Sequence, residues 1–268
     1  SGNHIIDLRS AGAEGGISPE SIPLIQRQKA TVLLLGPGLG GAAQSTGRAA
    51  ETRTLVQRLL PGFAGSAVLD ADGLNAAAQL ISAGEQFPHP EGELIVTPHP
   101  GEMARLTGLS AEEISADRIG AARRYAKKWN AVVVLKGFRT VAASPDGRVC
   151  VNPTGSPGLA RGGSGDVLAG MTAALLGSTC SARQTPAAGR IRIRFFRRSI
   201  SCEYPIISSR KRRAVLCLFL PTIFCKHLPQ FRQDIVGQHP VLAVLCGGTV
   251  SGGSVQIYRW PARTGGGA

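Results

Sequence analysis

Residues 152–170 read NPTGSPGLARGGSGDVLAG, a glycine-dense loop that reaches Asp166 where a helix-compatible run, DVLAGMTAALL, begins. Glycines let a backbone curl around a phosphate, and the first turn of a helix supplies N–H groups that lack an intrahelical acceptor. A carboxylate at that junction suits a helix cap. It equally suits taking a proton from a hydroxyl held beside the phosphate. Read alone, the loop supports both roles.

Other residues of the right types follow apolar runs. Lys136 ends AVVVLK, where it is either a solvated lysine or a partner for a nucleotide phosphate. His99 lies between two prolines in TPHPGE, so the turn fixes the direction of its imidazole. Asp70 and Asp72 in LDADG can cap the following helix or hold a metal through water. Gly36, Gly38, Gly40 and Gly41 in GPGLGG permit close backbone approach to a ligand. This is not GxGxxG: Pro37 changes the geometry, and no ribose-binding acid follows at the usual distance. A dinucleotide-binding fingerprint is therefore disfavoured.

The elements that must position these residues alternate between strand and helix. TVLLL (31–35), SAVLD (66–70), ELIVT (93–97) and AVVVLKG (131–137) read as buried strands. Helices are expected up to about Leu60, over 73–81 and 101–107, and over 114–130, the last with Ile119, Ala122 and Ala126 toward the core. RTVAA (139–143) and RVCVN are further strands joined by the turn Pro145-Asp146-Gly147. Val, Leu and Ile dominate the strands, which predicts a mostly parallel sheet covered on both faces. Ligands of such sheets bind beyond the carboxyl ends of the strands. Gly38, Asp70, Asp72, His99 and Lys136 all fall there.

Bulk composition divides the chain. Residues 1–178 carry 16 Lys/Arg against 15 Asp/Glu, whereas residues 179–268 carry 14 against 2, so the formal charge of +13 belongs almost wholly to the last third. That third holds RIRIRFFRRS (190–199) and SSRKRRAV (208–215), whose basic residues with Phe195 and Phe196 offer a weak nucleic-acid surface. HPVLAVLCGG (239–248) and SVQIYRW (254–260) are strand-like but have no assigned place in the sheet. The six cysteines form no CxxC pair, which leaves a zinc site unsupported, and the apolar run 214–225 is too short to span a bilayer. With no secretory leader read in the sequence, the default expected compartment is the cytoplasm, with reduced thiols and no membrane partner.

Five motifs together resemble the ADP/ATP-dependent NAD(P)H-hydrate dehydratase family: GPGLG (36–40), VLDADGLNA (68–76), IVTPHPGEMARL (95–106), VVLKGFRT (133–140) and NPTGSPGLARGGSGDVLAG (152–170). The match covers roughly residues 30–178. Arg161 stands where that family has threonine, and Ser156 where it has asparagine. The resemblance implies a ribokinase-like three-layer α/β fold with a mostly parallel central sheet, here expected to be incomplete. Residues 1–30 form an atypical leader, 31–178 the nucleotide- and substrate-binding region, and 179–268 a tail that does not match.

The implied activity is nucleotide-dependent dehydration of the S form of hydrated NADH or NADPH, with ADP or ATP as co-substrate and Mg2+ balancing its phosphates. By motif, Gly38, His99 and Asp166 would meet the hydrated nicotinamide. Lys136, Gly137, Phe138, Arg139 and Thr140, with Gly163, Ser164 and Gly165, would meet the nucleotide. Asp166 would be the base, and Asp70 or Asp72 would reach the metal through water. An NAD(P)H-hydrate epimerase is the implied functional partner, and a homo-oligomer is compatible with it. Two other readings compete: a ribokinase-like vitamin-precursor kinase, and a non-catalytic basic protein that binds nucleic acid through its tail.

Overall fold

The computed structural model describes residues 17–28, 30–40 and 47–180, together with two strands at 241–246 and 255–259. Short apolar runs form the strands: β1 (Val32–Leu35), β2 (Ser66–Leu69), β3 (Leu94–Val96) and β4 (Val132–Leu135). Helices intervene: α1 (Ile22–Gln26) precedes β1, α2 (Gly47–Leu59) and α3 (Ala71–Ser82) follow β1 and β2, and α4 (Pro100–Thr107), α5 (Ala111–Ala116) and α6 (Arg118–Trp129) lie between β3 and β4. A meander, β5 (Val141–Ala143) and β6 (Val149–Val151), then leads to α7 (Ser164–Cys180).

The strands make one mixed sheet in the order β6-β5-β4-β3-β2-β1-β7-β8, with β7 at Val241–Cys246 and β8 at Val255–Arg259. β1 to β4 are mutually parallel, so the loops that leave their carboxyl ends share one edge. β5, β6 and β8 run antiparallel to their neighbours. The turn expected at Pro145–Gly147 joins β5 to β6: the Gly147 N–H donates to the Ser144 carbonyl at 3.0 Å. Beside it, Arg148 and Ser144 both bond Asp146 and hold its carboxyl well below the usual carboxylate range.

Strand periodicity assigns the two faces. Leu33, Leu35, Ala67, Leu69, Leu94, Val96, Val133 and Leu135 join one core with α1 to α6. Their alternates Val32, Leu34, Val68, Ile95 and Val134 pack on Ala169, Ala173 and Leu176 of α7. Three layers result, as expected.

One expectation is corrected. The helix expected over 114–130 is two helices, broken at Asp117, whose backbone leaves the helical region and whose carboxylate accepts the Gly120 N–H at 2.7 Å. Gly120 allows this closure, since a Cβ there would stand 1.9 Å from that carboxylate. Within α6 the buried stripe is Ala121, Ala122, Tyr125, Ala126 and Trp129, and Ile119, expected in the core beside Ala122 and Ala126, falls at its margin in the first turn and is 43% exposed. Replacing Ile119 with Gln should therefore change the unfolding free energy by no more than about 0.5 kcal/mol. A loss above about 1.5 kcal/mol in chemical denaturation would return Ile119 to the core.

The strand-like segments of the tail are strands. Val241–Cys246, left without a place by the sequence, pairs in parallel with β1, and Val255–Arg259 closes the edge beyond it. The basic stretches 190–199 and 208–215, including Phe195 and Phe196, lie outside the described residues. Among the described residues no helix is long and apolar enough to cross a membrane.

Candidate functional site

Backbone hydrogen bonds carry the ladder past the strand ends and join the loops into one rim. Asp70 N–H donates to Leu35 O at 3.1 Å, Thr97 N–H to Leu69 O at 3.2 Å, Lys136 N–H to Pro98 O at 2.8 Å and Asn152 N–H to Thr140 O at 2.9 Å. Gly36, at φ +132°, fits against this rim because it lacks a side chain: a Cβ would stand 1.7 Å from the Asp70 carbonyl oxygen. The loop beyond it is braced from two helices. Arg48 of α2 donates to the Leu39 and Gly38 carbonyls, and Asp72 accepts the Gly40 N–H at 2.7 Å. Gly38 itself is exposed at the crevice, while Gly41 is outside the described residues.

His99 is held by a capping box. Its Nδ1 accepts the N–H groups of Gly101 and Glu102 at 3.0 and 3.3 Å, and Glu102 Oε2 accepts the His99 N–H at 2.7 Å. Accepting at Nδ1 places the neutral ring's proton on Nε2; the His99 side chain is half-exposed, and Nε2 lies 3.6 Å from Oε1 of the buried Glu102. His99 is thus a cap with one polar edge available to a ligand. Asn preserves such a cap and Ala does not. His99→Asn should keep stability within about 0.5 kcal/mol, whereas His99→Ala should lose about 1 kcal/mol. Equal losses for both substitutions in denaturant titrations would contradict the cap.

Asp70 is the position before α3, yet its side chain makes no cap bond. It is buried, and Oδ1 lies 2.7 Å from Lys136 Nζ, which is also 3.6 Å from Glu102 Oε2. Lys136, expected to face a phosphate, is tied to two buried carboxylates. It still lies beneath the amino end of α7, since a Cβ on Gly165 would sit 3.7 Å from its Nζ. Glu102 joins this lysine to His99. The sequence reading missed it, although the H-x-x-E spacing of a capping box is visible in HPGE.

Asp166 stands in the first turn of α7, directly after Gly163 at φ +83°, Ser164 and Gly165. Water reaches its carboxylate, but the surrounding crevice removes part of its hydration. That loss is the main cause of a pKa raised above the ordinary carboxylate value. Repulsion from Asp70 adds to the rise, attraction to Lys136 opposes it, and Asp72 contributes a smaller repulsion. The arrangement suits a base that holds a proton more readily than a free aspartate. Ser164 is turned into its own loop, since its N–H and hydroxyl both donate to the Arg161 carbonyl. Gly163 and Gly165 flank it at the amino end of α7, the positive pole of the helix dipole.

On the other side of the rim, Gly137, Phe138 and Arg139 are exposed, with Phe138 at 85%, and the Arg139 guanidinium lies over the Phe138 ring. Thr140 closes the loop through its hydroxyl on the Gly137 carbonyl, 3.0 Å away.

The metal expectation rests on Asp70 and Asp72. Among the described residues no group of three His, Cys, Asp or Glu side chains is placed to hold a metal ion. Asp70 is engaged by Lys136, and Asp72 by the Gly40 N–H. Both carboxylates thus already have protein partners, and the contact expected of them is one made through water.

Residues 12–194 match the family model of NAD(P)H-hydrate dehydratase. The chain is 47% identical over 167 residues to a bifunctional NAD(P)H-hydrate repair enzyme of Moorella thermoacetica, an overlap of 61% of this chain and 29% of that protein. It is 41% identical over 168 residues to an ADP-dependent (S)-NAD(P)H-hydrate dehydratase of Neisseria meningitidis, covering 62% and 54%. A Bacillus subtilis ADP/ATP-dependent NAD(P)H-hydrate dehydratase, co-crystallised with ATP/Mg2+ and soaked with CoA, superposes with a TM-score of 0.47 at 32% identity, over 60% of this chain and 62% of that one. The chain thus spans between about a third and about half of the length of these two sequence relatives.

Proposed function

From the membership of this chain in the NAD(P)H-hydrate dehydratase family, a ribokinase-like α/β family, we propose that it dehydrates the S form of hydrated NADH or NADPH at the expense of ADP or ATP. The observation that carries the reading is Asp166: a carboxylate of raised pKa at the amino end of α7, set among Asp70, Lys136 and Asp72.

The chemistry follows from the leaving group. Hydroxide departs poorly from the hydrated ring, and a phosphate departs well. Asp166 removes the hydroxyl proton as the oxygen attacks the terminal phosphorus, forming one P–O bond while the bond to the nucleotide's remaining phosphate breaks. The phosphate then leaves, assisted by the ring nitrogen's lone pair, and loss of a proton from the neighbouring carbon to water restores the double bond. First-turn amides of α7 and the glycines before it stabilise the charge on the moving phosphoryl group. His99 Nε2–H offers a donor to the substrate, and Gly38 lets the dinucleotide approach the backbone. Lys136 holds Asp70 in place and tempers the repulsion that Asp166 feels. A divalent cation, carried by the nucleotide phosphates and reached by carboxylates only through water, would neutralise their charge when bound.

The bifunctional relatives join two repair activities in one chain, which supports an epimerase as this protein's functional partner, supplying the S form from the R form. The test is stoichiometric. Each dinucleotide restored should release one inorganic phosphate. A small-molecule kinase would instead accumulate a stable phosphorylated alcohol with no return of reduced-nicotinamide absorbance, and that result would refute the proposal.

A further inference from the structure

We infer that Arg118 is the positioning residue of the Lys136–Thr140 loop, aiming its amides at the nucleotide; the inference rests on the dehydratase reading above. Arg118 opens α6 immediately after the break at Asp117. One of its terminal nitrogens donates to the Leu135 and Lys136 carbonyls at 2.9 and 3.2 Å, and the other to the carbonyls of Phe138 and, at 3.3 Å, Arg139. Four carbonyls from one stretch of chain therefore converge on one guanidinium.

The surroundings of Arg118 favour that task over any other. It makes no ion pair among the described residues, and its Nε is buried without a hydrogen-bond partner. A cation at the amino end of a helix opposes the helix dipole, so its place in α6 is not explained by helix stability. Gly137 is shaped around it: at φ +143°, a Cβ there would stand 3.0 Å from an Arg118 terminal nitrogen. Arg139, a non-glycine residue at φ +55°, is held in that costly conformation while its carbonyl bonds Arg118.

The consequence for the ligand comes from peptide geometry. Across a trans peptide the C=O and the following N–H point in opposite directions, and the described chain has no cis bonds. Carbonyls of Lys136, Phe138 and Arg139 that face Arg118 turn the N–H groups of Gly137, Arg139 and Thr140 away from it. The Leu135 peptide obeys the same rule: its carbonyl faces Arg118 while the Lys136 N–H reaches Pro98 O on the other side. Three donors face outward beside the exposed Phe138, with an unneutralised positive charge behind them. That is a recognition edge for a phosphate-bearing nucleotide.

The test compares Arg118→Lys and Arg118→Met with the parent chain in two measurements. Amide order parameters of Gly137 to Thr140 should fall from about 0.85, the rigid-backbone value, to below about 0.6 in Arg118→Met, and less far in Arg118→Lys, with the strands unchanged. The KM for ADP or ATP should rise about tenfold or more, the scale of one lost charge-assisted hydrogen bond, while the KM for the hydrated dinucleotide stays the same. An unchanged loop in folded variants overturns the inference, as does an unchanged nucleotide KM. Loosening spread over the whole chain also overturns it, in favour of a general structural role. Should the parent chain use neither ADP nor ATP, the dehydratase reading fails and the order parameters alone decide whether Arg118 holds the loop.

Discussion

Asp166→Asn should lower turnover by roughly 10²–10⁴-fold, the usual contribution of a positioned general base, while the protein remains folded. Asn keeps the shape of the side chain and its capping capacity but cannot accept a proton. The pH dependence follows from the raised pKa of Asp166. The base works when ionised, so wild-type turnover should rise with pH through a midpoint above the ordinary aspartate value of 3.8, and the substituted chain should show no such step.

Stability moves the other way. A carboxyl whose folded pKa is raised stabilises the fold fully below its unfolded pKa, and that contribution is lost as pH rises through the folded value. At neutral pH the ionised Asp166 is therefore a cost, caused by lost hydration and by Asp70 and Asp72. Asp166→Asn should melt no lower than wild type at neutral pH, and its advantage should vanish in acid, where Asp166 is protonated. Because the carboxylate is accessible to water, this advantage is small. Wild-type turnover in Asp166→Asn would exclude the base, and a clearly lower melting temperature at neutral pH would exclude the electrostatic account.

Lys136→Met carries the second large effect. It removes the cation from Asp70, whose side chain is 1% exposed, and leaves a buried charge with no partner. Breaking such a pair costs about 3–5 kcal/mol. Removing the charge from both members, in Lys136→Met with Asp70→Asn, should cost less than the two single substitutions added together, which a double-mutant cycle in denaturant measures. Lys136 also attracts the ionised form of Asp166. Its loss should move the turnover profile to higher pH in whatever fraction remains folded. A single substitution that costs less than about 1 kcal/mol, or a strictly additive cycle, would contradict the ion pair.

The strand-end placement of Gly38, Asp70, Asp72, His99 and Lys136 was legible because it depends on local patterns: short apolar runs, intervening helices and parallel pairing. The same patterns could not reveal what Lys136 touches. Asp70 lies 66 residues away along the chain, and no local spacing records a contact made across the sheet. Hence the carboxylates that engage Lys136 were not legible beside the phosphate contact expected of it. The break at Asp117 was hidden because apolar residues recur on both sides of it, Ile114 before and Ala121, Ala122, Tyr125 and Ala126 after, so one continuous helix reads the same pattern. Arg118 drew no notice in the sequence because its partners are carbonyls, which every residue carries. The tail strand at Val241–Cys246 was recognisable as apolar, but its partner β1 lies some two hundred residues earlier, and pairing at that separation leaves no signature in composition.

The most direct measurement offers hydrated NADH to the full chain with ADP, with ATP or with neither, and follows the return of reduced-nicotinamide absorbance for wild type and Asp166→Asn. The account predicts recovery that requires a nucleotide and is lost in Asp166→Asn. Folded wild-type protein that gives no nucleotide-dependent recovery, or an Asp166→Asn chain that recovers absorbance at the wild-type rate, would contradict it.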